Sequence, residues 1–244
     1  MRTVGVDLAA EPAKSALAIL DWTPGRVQVV DLRMGVSDAE IVAAADGADR
    51  VGIDAPFGWP DAFVAFVSAH HEHRSPATSL ASREDRRPLT KRRTDIVVQE
   101  TTGVVPLSVS ADRIAHVALR CAGLLTELRS AGIDVGRVDG VAVEVYPAAA
   151  LRRWGLRNRG YKGGAQDGFA GLLDAFDAAT PWLDLGDFRA TFRATDDAFD
   201  AVVAAFIARA AACAATTLPS AREWDVASRE GWIHLPTGAL ADLV

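Results

Sequence analysis

The chain has 244 residues, of which 50% are hydrophobic, 24% charged and 7% aromatic. This composition is typical of globular proteins and excludes an intrinsically disordered chain. The 26 lysines and arginines are outnumbered by 32 acidic residues, and the resulting net charge of −6 excludes binding of nucleic acid or an anionic membrane by bulk charge. We expect one domain over residues 1–244. We expect a cytoplasmic location and no membrane partner, because Asp7 interrupts the apolar run that a signal peptide needs and no stretch reaches about 18 apolar residues.

Three short apolar or alternating segments open the chain and predict a meander of three strands. They cover residues 2–8, 15–21 and 26–33, and turn residues separate them. A helix over 38–46 follows, because Ser37 and Glu40 have the spacing of a capping box. Residues 51–55 form a short apolar run, and a strand reached through a helical crossover is expected to lie parallel to the first strand.

The second half of the chain predicts mostly helices. Residues 56–109 contain one helix-like piece and a charged stretch, and we expect them to form an insertion over the edge of the sheet. Later elements are an amphipathic helix over 110–132, a fifth strand over 141–146, two short helical segments between 148 and 195, and a last helix over 197–215. The element order is that of the ribonuclease H fold. We therefore predict an α/β protein with a mixed five-stranded sheet, a meander plus two parallel crossovers, flanked by helices.

Carboxylates recur where these predicted elements end or begin. Asp7 ends the first strand and Asp54 ends the fourth, so parallel pairing of these strands brings the two side chains to one edge of the sheet. Asp197 and Asp200 lie three residues apart on one face of the last helix, and Glu144 adds an acid in the fifth strand. Such carboxylates repel one another unless they are protonated or a cation lies between them. Mg²⁺ or Mn²⁺ is the expected cofactor, because both ions prefer oxygen ligands.

The acids of the last helix also have a purely structural explanation. Acidic side chains at a helix N-terminus are stabilised by the helix dipole, by roughly 0.3 to 1 kcal/mol each. Asp7 and Asp54 lack this explanation, because buried strand ends disfavour unpaired aspartates.

Two basic segments interrupt this acidic chain. Residues 83–93 hold six basic and two acidic side chains, and residues 152–162 hold five basic side chains and no acidic one. These segments predict phosphate binding. Trp154 and Tyr161 in the second segment are candidates either for stacking on bases or for packing against the protein.

The motifs together resemble a family of predicted nucleases of ribonuclease H-like fold, the domain of unknown function family number 429. The resemblance spans nearly the whole chain, and its last motif is also similar to the terminal Asp-x-x-Asp helix of Holliday-junction resolvases. The matching segments are Gly5-Val6-Asp7, Gly52-Ile53-Asp54-Ala55-Pro56-Phe57-Gly58, Arg92-Arg93-Thr94-Asp95, Glu144-Val145-Tyr146-Pro147, Tyr161-Lys162, Asp196-Asp197-Ala198-Phe199-Asp200-Ala201 and Glu230-Gly231-Trp232-Ile233.

The resemblance implies a set of site residues. The metal ligands would be four aspartates, a further acid and a lysine would complete the catalytic set, and the Arg-Arg-Thr-Asp motif would bind substrate. These residues are Asp7, Asp54, Asp197 and Asp200 as ligands, Glu144 and Lys162 in catalysis, and Arg92, Arg93, Asp95 and Lys162 as contacts to substrate.

The function expected from these observations is hydrolysis of phosphodiester bonds at a carboxylate-held metal site, with a nucleic acid or nucleotide as substrate. Two alternatives stay open. One is a non-catalytic module of the same fold that binds nucleic acid or protein. The other is an ATP-using phosphotransferase, which is disfavoured because Leu8-Ala9-Ala10-Glu11-Pro12 follows Asp7 where a Gly- or Thr-rich phosphate turn is needed. The sequence leaves the oligomeric state open.

Overall fold

A mixed β-sheet forms the centre of the molecule. The computed structural model describes residues 1–74, 79–163 and 166–244. Within these residues the sheet has seven strands in the order β6-β3-β2-β1-β4-β5-β7, and β2 alone runs against the others. The strands are β1 (Arg2–Asp7), β2 (Ala16–Thr23), β3 (Arg26–Met34), β4 (Arg50–Asp54), β5 (Ala142–Val145), β6 (Leu183–Asp184) and β7 (Ile233–His234).

The five expected strands are present, but the sheet is larger than the predicted five-stranded sheet. The additional strands β6 and β7 are two residues long and lie at the two edges. A segment of two residues is too short to show the alternating pattern of a strand in its sequence. Its pairing depends on the strand that is packed beside it.

Ten α-helices accompany the sheet in the described residues. They are α1 (Asp38–Ala45), α2 (Asp61–His71), α3 (Arg83–Thr90), α4 (Arg93–Thr102), α5 (Ile114–Ser130), α6 (Pro147–Arg153), α7 (Gln166–Ala179), α8 (Arg189–Ala194), α9 (Asp196–Ala212) and α10 (Trp224–Glu230). None is long and apolar enough to cross a membrane.

The segment 56–109 contains more helix than expected. Besides α2, which begins beside Pro60, it forms α3 and α4. The missed helix α3 buries no side chain and begins at a capping box of Ser82 and Asp85, so its sequence has no apolar period. Helix α4 contacts α6, α10 and the edge strand β7. Part of this segment, residues 75–78, lies outside the described residues.

The two faces of the sheet carry different helices. Helices α1 and α5 cover one face through a core that contains Val4, Val6 and Ile53. Helix α9 covers the other face, where almost all of its residues are buried among aromatic side chains from α7 and α8. Side chains alternate along a strand, so Gly5 and Asp7 share the α9 face of β1, as Gly52 and Asp54 do on β4.

Glycines allow α9 to lie unusually close to the sheet. A Cβ atom on Gly5 would overlap backbone atoms of Ala201 and Ala205, and one on Gly52 would overlap the carbonyl of Ala204. Close approach therefore requires glycine on the strands, and the small alanines of α9 complete the fit. The first turns of α9 consequently lie beside the ends of β1 and β4.

Candidate functional site

Three carboxylates meet at the carboxyl ends of the central parallel strands. Asp7 ends β1, Asp54 ends β4, and the two residues are direct partners in the parallel register. Asp200, fully buried on α9, completes the group. One carboxylate oxygen from each residue lies within 4.8 Å of the others. Strand alternation and the close approach of α9 together bring these residues into one cluster, which we call the acid triad.

Burial raises the pKa of every member of the acid triad. For Asp7 the loss of solvation is the largest cause, and the charges of Asp54 and Asp200 add to it. For Asp54 burial is opposed by Lys162 and reinforced by Asp200, with a resulting pKa of about 7. The pKa of Asp200 is raised by burial against the opposing effects of Lys162 and Tyr161. Three carboxylates in this setting favour either a proton or a cation between them.

Lys162 and Tyr161 supply the polar contacts of Asp200. The Lys162 Nζ atom lies 2.6 Å from Asp200 Oδ2, and 52% of the lysine side chain is exposed. The Tyr161 hydroxyl donates a hydrogen bond of 3.0 Å to Asp200 Oδ1. The ring of Tyr161 is buried against Phe199, so packing explains this aromatic residue and its hydroxyl has a role that the sequence pattern did not indicate. Trp154 likewise packs against the core.

Asp197 lies beside the acid triad without belonging to it. It is partly buried on the first turn of α9 and is within hydrogen-bond reach of Asp7. Burial raises its pKa, with a further contribution from the charge of Asp196. The N-terminus of α9 is capped by Thr195, whose hydroxyl accepts a hydrogen bond of 3.1 Å from the amide of Ala198. Helix capping by Thr195 and the triad residue Asp200 thus use different residues at the start of α9.

Glu144 takes part in a second, separate set of buried charges, which we call the Arg92 network. Both Glu144 oxygens accept hydrogen bonds from the Arg92 guanidinium, at 2.7 and 2.9 Å, and one also accepts from the amide of Phe57. Asp95 binds the same guanidinium at 2.9 Å. Glu144 is the register partner of Ile53, so its side chain leaves the sheet on the face opposite to Asp54.

Arg93 is directed toward the C-terminal part of the chain. Its Nε atom lies 2.6 Å from Glu223, and its backbone amide donates to Glu230 at 2.6 Å. Glu230 also accepts from the amide of Asp61 and therefore connects α10 to the starts of α2 and α4. The motif around Glu230, for which the sequence suggested no chemistry, thus has a structural role.

A pocket of about 470 Å³ opens beside the acid triad. Its lining includes Asp7, Asp54, Lys162, Arg159 and Tyr146, together with Arg92 and Glu144 of the Arg92 network. Burial raises the pKa of Tyr146 to about 12, so its hydroxyl keeps its proton at neutral pH. The sequence indicated Arg159 as part of the basic segment 152–162, and the structure adds that this segment lies next to the carboxylates.

The acid triad has the chemistry of a divalent-cation site. Its donors are carboxylate oxygens, which Mg²⁺ and Mn²⁺ prefer. Its three negative charges face one nearby ammonium group, so ionisation of all three leaves an excess of negative charge in a poorly solvated place. The residues present therefore fit a Mg²⁺ or Mn²⁺ ion, which Asp7, Asp54 and Asp200 would hold.

Comparison with known proteins gives one result. No curated protein and no solved structure matches the chain. The model of one family, described as "Protein of unknown function (DUF429)", matches residues 5–223. The match includes every residue of the acid triad and of the Arg92 network. The chain therefore belongs to the DUF429 family.

Proposed function

We propose that the protein is a divalent-metal-dependent phosphodiesterase of the nuclease class. The observation that carries the proposal is the convergence of Asp7, Asp54 and Asp200 beside a pocket that also presents the cations Lys162 and Arg159. Phosphodiester hydrolysis needs these two features together. Carboxylates hold the metal ion, and cations bind the anionic substrate.

The order of the central strands supports a ribonuclease H-like fold for this enzyme. Strands β3, β2 and β1 form the expected meander, and β4 and β5 continue the sheet in parallel beyond β1. Acids at the ends of β1 and β4 then face an acid on a helix that packs across both strands. This arrangement suits metal-assisted chemistry on phosphate esters, although fold alone does not determine an activity.

Asp7, Asp54 and Asp200 would hold Mg²⁺ or Mn²⁺ in this proposal. When bound, the ion lowers the pKa of a coordinated water and offsets negative charge on the phosphate. In the hydrolysis itself, the oxygen of water bonds to phosphorus, the bond from phosphorus to the leaving oxygen breaks, and the leaving oxygen keeps the electron pair and takes up a proton.

The residues of the chain would position the substrate. Lys162 is half-exposed and reaches both the pocket and Asp200, so its ammonium group is placed to bind a non-bridging phosphate oxygen. Tyr161 fixes the carboxylate of Asp200 by its hydrogen bond and limits the rotation of that side chain. The Arg92 network would hold the loop after Asp54 through the amide of Phe57.

Thermal unfolding with and without Mn²⁺ or Mg²⁺ tests the metal site. The native protein should gain about 2.7 kcal/mol at a hundredfold excess of metal over the dissociation constant. Asp54→Asn and Asp200→Asn should be more stable than the native protein in EDTA, because each removes a repelling charge, and neither should respond to metal. Asp187→Asn, which changes an exposed aspartate far along the chain, is the matched control and should respond as the native protein does.

Activity is then measured on bis(p-nitrophenyl) phosphate, a small phosphodiester. Metal-dependent release of nitrophenol that both triad variants lose supports the proposal. A native protein that neither gains stability with metal nor cleaves the diester contradicts it. A binding module without catalytic activity then becomes the better explanation.

A further inference from the structure

The lining of the pocket beside the acid triad combines two kinds of chemistry. Asp7 and Asp54 contribute carboxylates. Pro106 and Leu107, from the segment that joins α4 to α5, and Ile114, the first residue of α5, contribute apolar surface. A ligand that uses both kinds of lining needs a part that binds a metal ion and a part that is apolar.

Leu107 leaves much of its apolar surface in contact with water. The residue is 57% exposed although it lines the pocket, whereas the adjacent residue Pro106 is buried. A ligand that removes this leucine surface from water gains binding free energy. The face of a nucleobase is a flat surface of low polarity, and apolar side chains pack against unstacked bases in enzymes that act on them.

Arg159 and Lys162 complete the pocket with positive charge. The Arg159 guanidinium is exposed, makes one hydrogen bond of 3.3 Å to the carbonyl of Gly103, and forms no salt bridge with any carboxylate whose side chain is described. Lys162 also lines the pocket and contacts Asp200. The pocket therefore offers cations that can bind a phosphate group.

The volume of the pocket limits the size of the ligand. A cavity of about 470 Å³ lies near the lower end of the range for small-molecule sites, roughly 300 to 1,000 Å³. A regular duplex keeps its bases stacked inside the helix, and a base reaches a concave pocket only after it leaves the stack. The walls thus fit one nucleotide with its base unstacked and its phosphate toward the acid triad.

We propose that this pocket binds a single unpaired nucleotide, with its base against Pro106, Leu107 and Ile114 and its phosphate between Arg159, Lys162 and the acid triad. The inference rests on the proposed phosphodiesterase function for the chemistry that follows binding. The nucleotide comes either from a free nucleotide or from a single-stranded nucleic acid, and both sources share the same recognition chemistry.

Calorimetry with adenosine 5′-monophosphate and inorganic phosphate, both with Mg²⁺ present, tests the proposal. The nucleotide should bind at least about tenfold more tightly than phosphate, because contacts of the base with apolar side chains add to phosphate binding. Leu107→Ala should weaken nucleotide binding by about threefold to tenfold without changing phosphate binding, and Arg159→Met should weaken both. Leu119→Ala, which removes a leucine that is 62% exposed on α5, is the matched control.

Equal affinity for nucleotide and phosphate, or equal effects of Leu107→Ala and Leu119→Ala, overturns the inference. Failure of the proposed function gives a different result. A protein that binds the nucleotide as expected but neither responds to metal nor cleaves bis(p-nitrophenyl) phosphate keeps the nucleotide pocket and loses the phosphodiesterase assignment. Cleavage of the diester without a preference for nucleotide keeps the activity and removes the pocket proposal.

A second experiment distinguishes a free nucleotide from a single-stranded nucleic acid as the source of the bound nucleotide. Short oligonucleotides with hydrolysis-resistant linkages are compared as single strands and as duplexes by fluorescence anisotropy. Single strands that bind more tightly than the mononucleotide, with duplexes at least about tenfold weaker, identify a strand as the source. Single strands that bind no better than the mononucleotide identify a free nucleotide. Duplexes that bind as tightly as single strands contradict the requirement for an unpaired base.

Discussion

Two groups of buried acids lie near the carboxyl ends of the central parallel strands, on opposite faces of the sheet. They differ in how their negative charge is balanced. In the Arg92 network, Glu144 and Asp95 share one fully buried guanidinium, and the amides of Phe57 and Arg92 donate further hydrogen bonds to the same two carboxylates. In the acid triad, three carboxylates face Lys162, which is half-exposed. Residues of both groups line the pocket, but each carboxylate oxygen of Glu144 and Asp95 already accepts a hydrogen bond, whereas the acid triad carries an excess of negative charge.

The difference separates a structural from a functional use of buried charge. A buried carboxylate whose oxygens are all bound contributes to the fold and has little capacity to bind anything else. A cluster with excess negative charge destabilises the metal-free protein and gains from a cation. We therefore assign the Arg92 network to support of the loop after β4 and the acid triad to the proposed chemistry.

The largest effect is expected from Arg92→Met. This substitution leaves Glu144 and Asp95 buried without their cation, which should lower the free energy of unfolding by about 3 to 5 kcal/mol. Urea denaturation measures it, and Arg159→Met, which removes an exposed arginine, should change stability by no more than about 0.5 kcal/mol. Similar stabilities for the two variants would show that the Arg92 network is not needed for the fold.

The pH dependence of stability should reveal the triad in the metal-free protein. In the folded protein Asp54 has a pKa of about 7, so it keeps its proton up to about that pH, whereas the unfolded chain releases the proton at about pH 3.9. The stability from this group is complete below the unfolded pKa and is lost as pH rises through the folded pKa. The free energy of unfolding of the native protein should therefore fall relative to Asp54→Asn, by up to about 1.4 kcal/mol per pH unit, between these limits.

The comparison with Asp54→Asn also removes an opposing contribution. Burial lowers the pKa of His234 to about 4, so this group makes the protein more stable as pH rises over much of the same range. Both proteins contain His234, and its effect cancels in the difference. Denaturation in EDTA at several pH values gives the two curves, and a difference that does not vary with pH would contradict a protonated triad.

Lys162→Met tests whether the lysine competes with a metal ion for the acid triad. Removal of the ammonium group next to Asp200 removes a cation that repels the metal ion, so the affinity for Mn²⁺ should rise by about tenfold. Calorimetric titration with Mn²⁺ measures this change, and Arg159→Met should change the affinity less. Unchanged or weaker Mn²⁺ binding by Lys162→Met would show that the lysine does not compete with the metal.

The smallest effect is expected from Asp197→Asn. Its carboxylate is not among the three whose oxygens converge, so the variant should keep a metal response, with an affinity reduced by less than about tenfold. Thermal unfolding with Mn²⁺ compares it with Asp200→Asn, which should lose the response. Loss of the metal response in both variants would show that Asp197 is also a metal ligand, as the family resemblance implies.

The central elements and the partners in the acid triad could be predicted from local patterns. Apolar runs that end in Asp7 and Asp54 indicated two strands, and the helical crossover between them indicated parallel pairing, which the register confirms. The helical period placed Asp200 on the small-residue face of the last helix. The capping box of Ser37 and Glu40 is present as expected.

Other features depend on residues that are distant in the chain. Glu144 and Arg92 are 52 residues apart, and no pattern in either segment indicates their pairing. The contact of Lys162 with Asp200, the two edge strands and the pocket likewise form only when separate segments pack together.

Local patterns in the sequence were thus sufficient to locate the strands that end in Asp7 and Asp54 and the helix face that carries Asp200, because strand alternation and helical period act between near neighbours. Which buried acids are paired with a cation emerged only when distant segments packed together. The balance of a buried charge depends on whatever the fold brings within a few ångströms of it, and that distance bears no relation to separation along the chain.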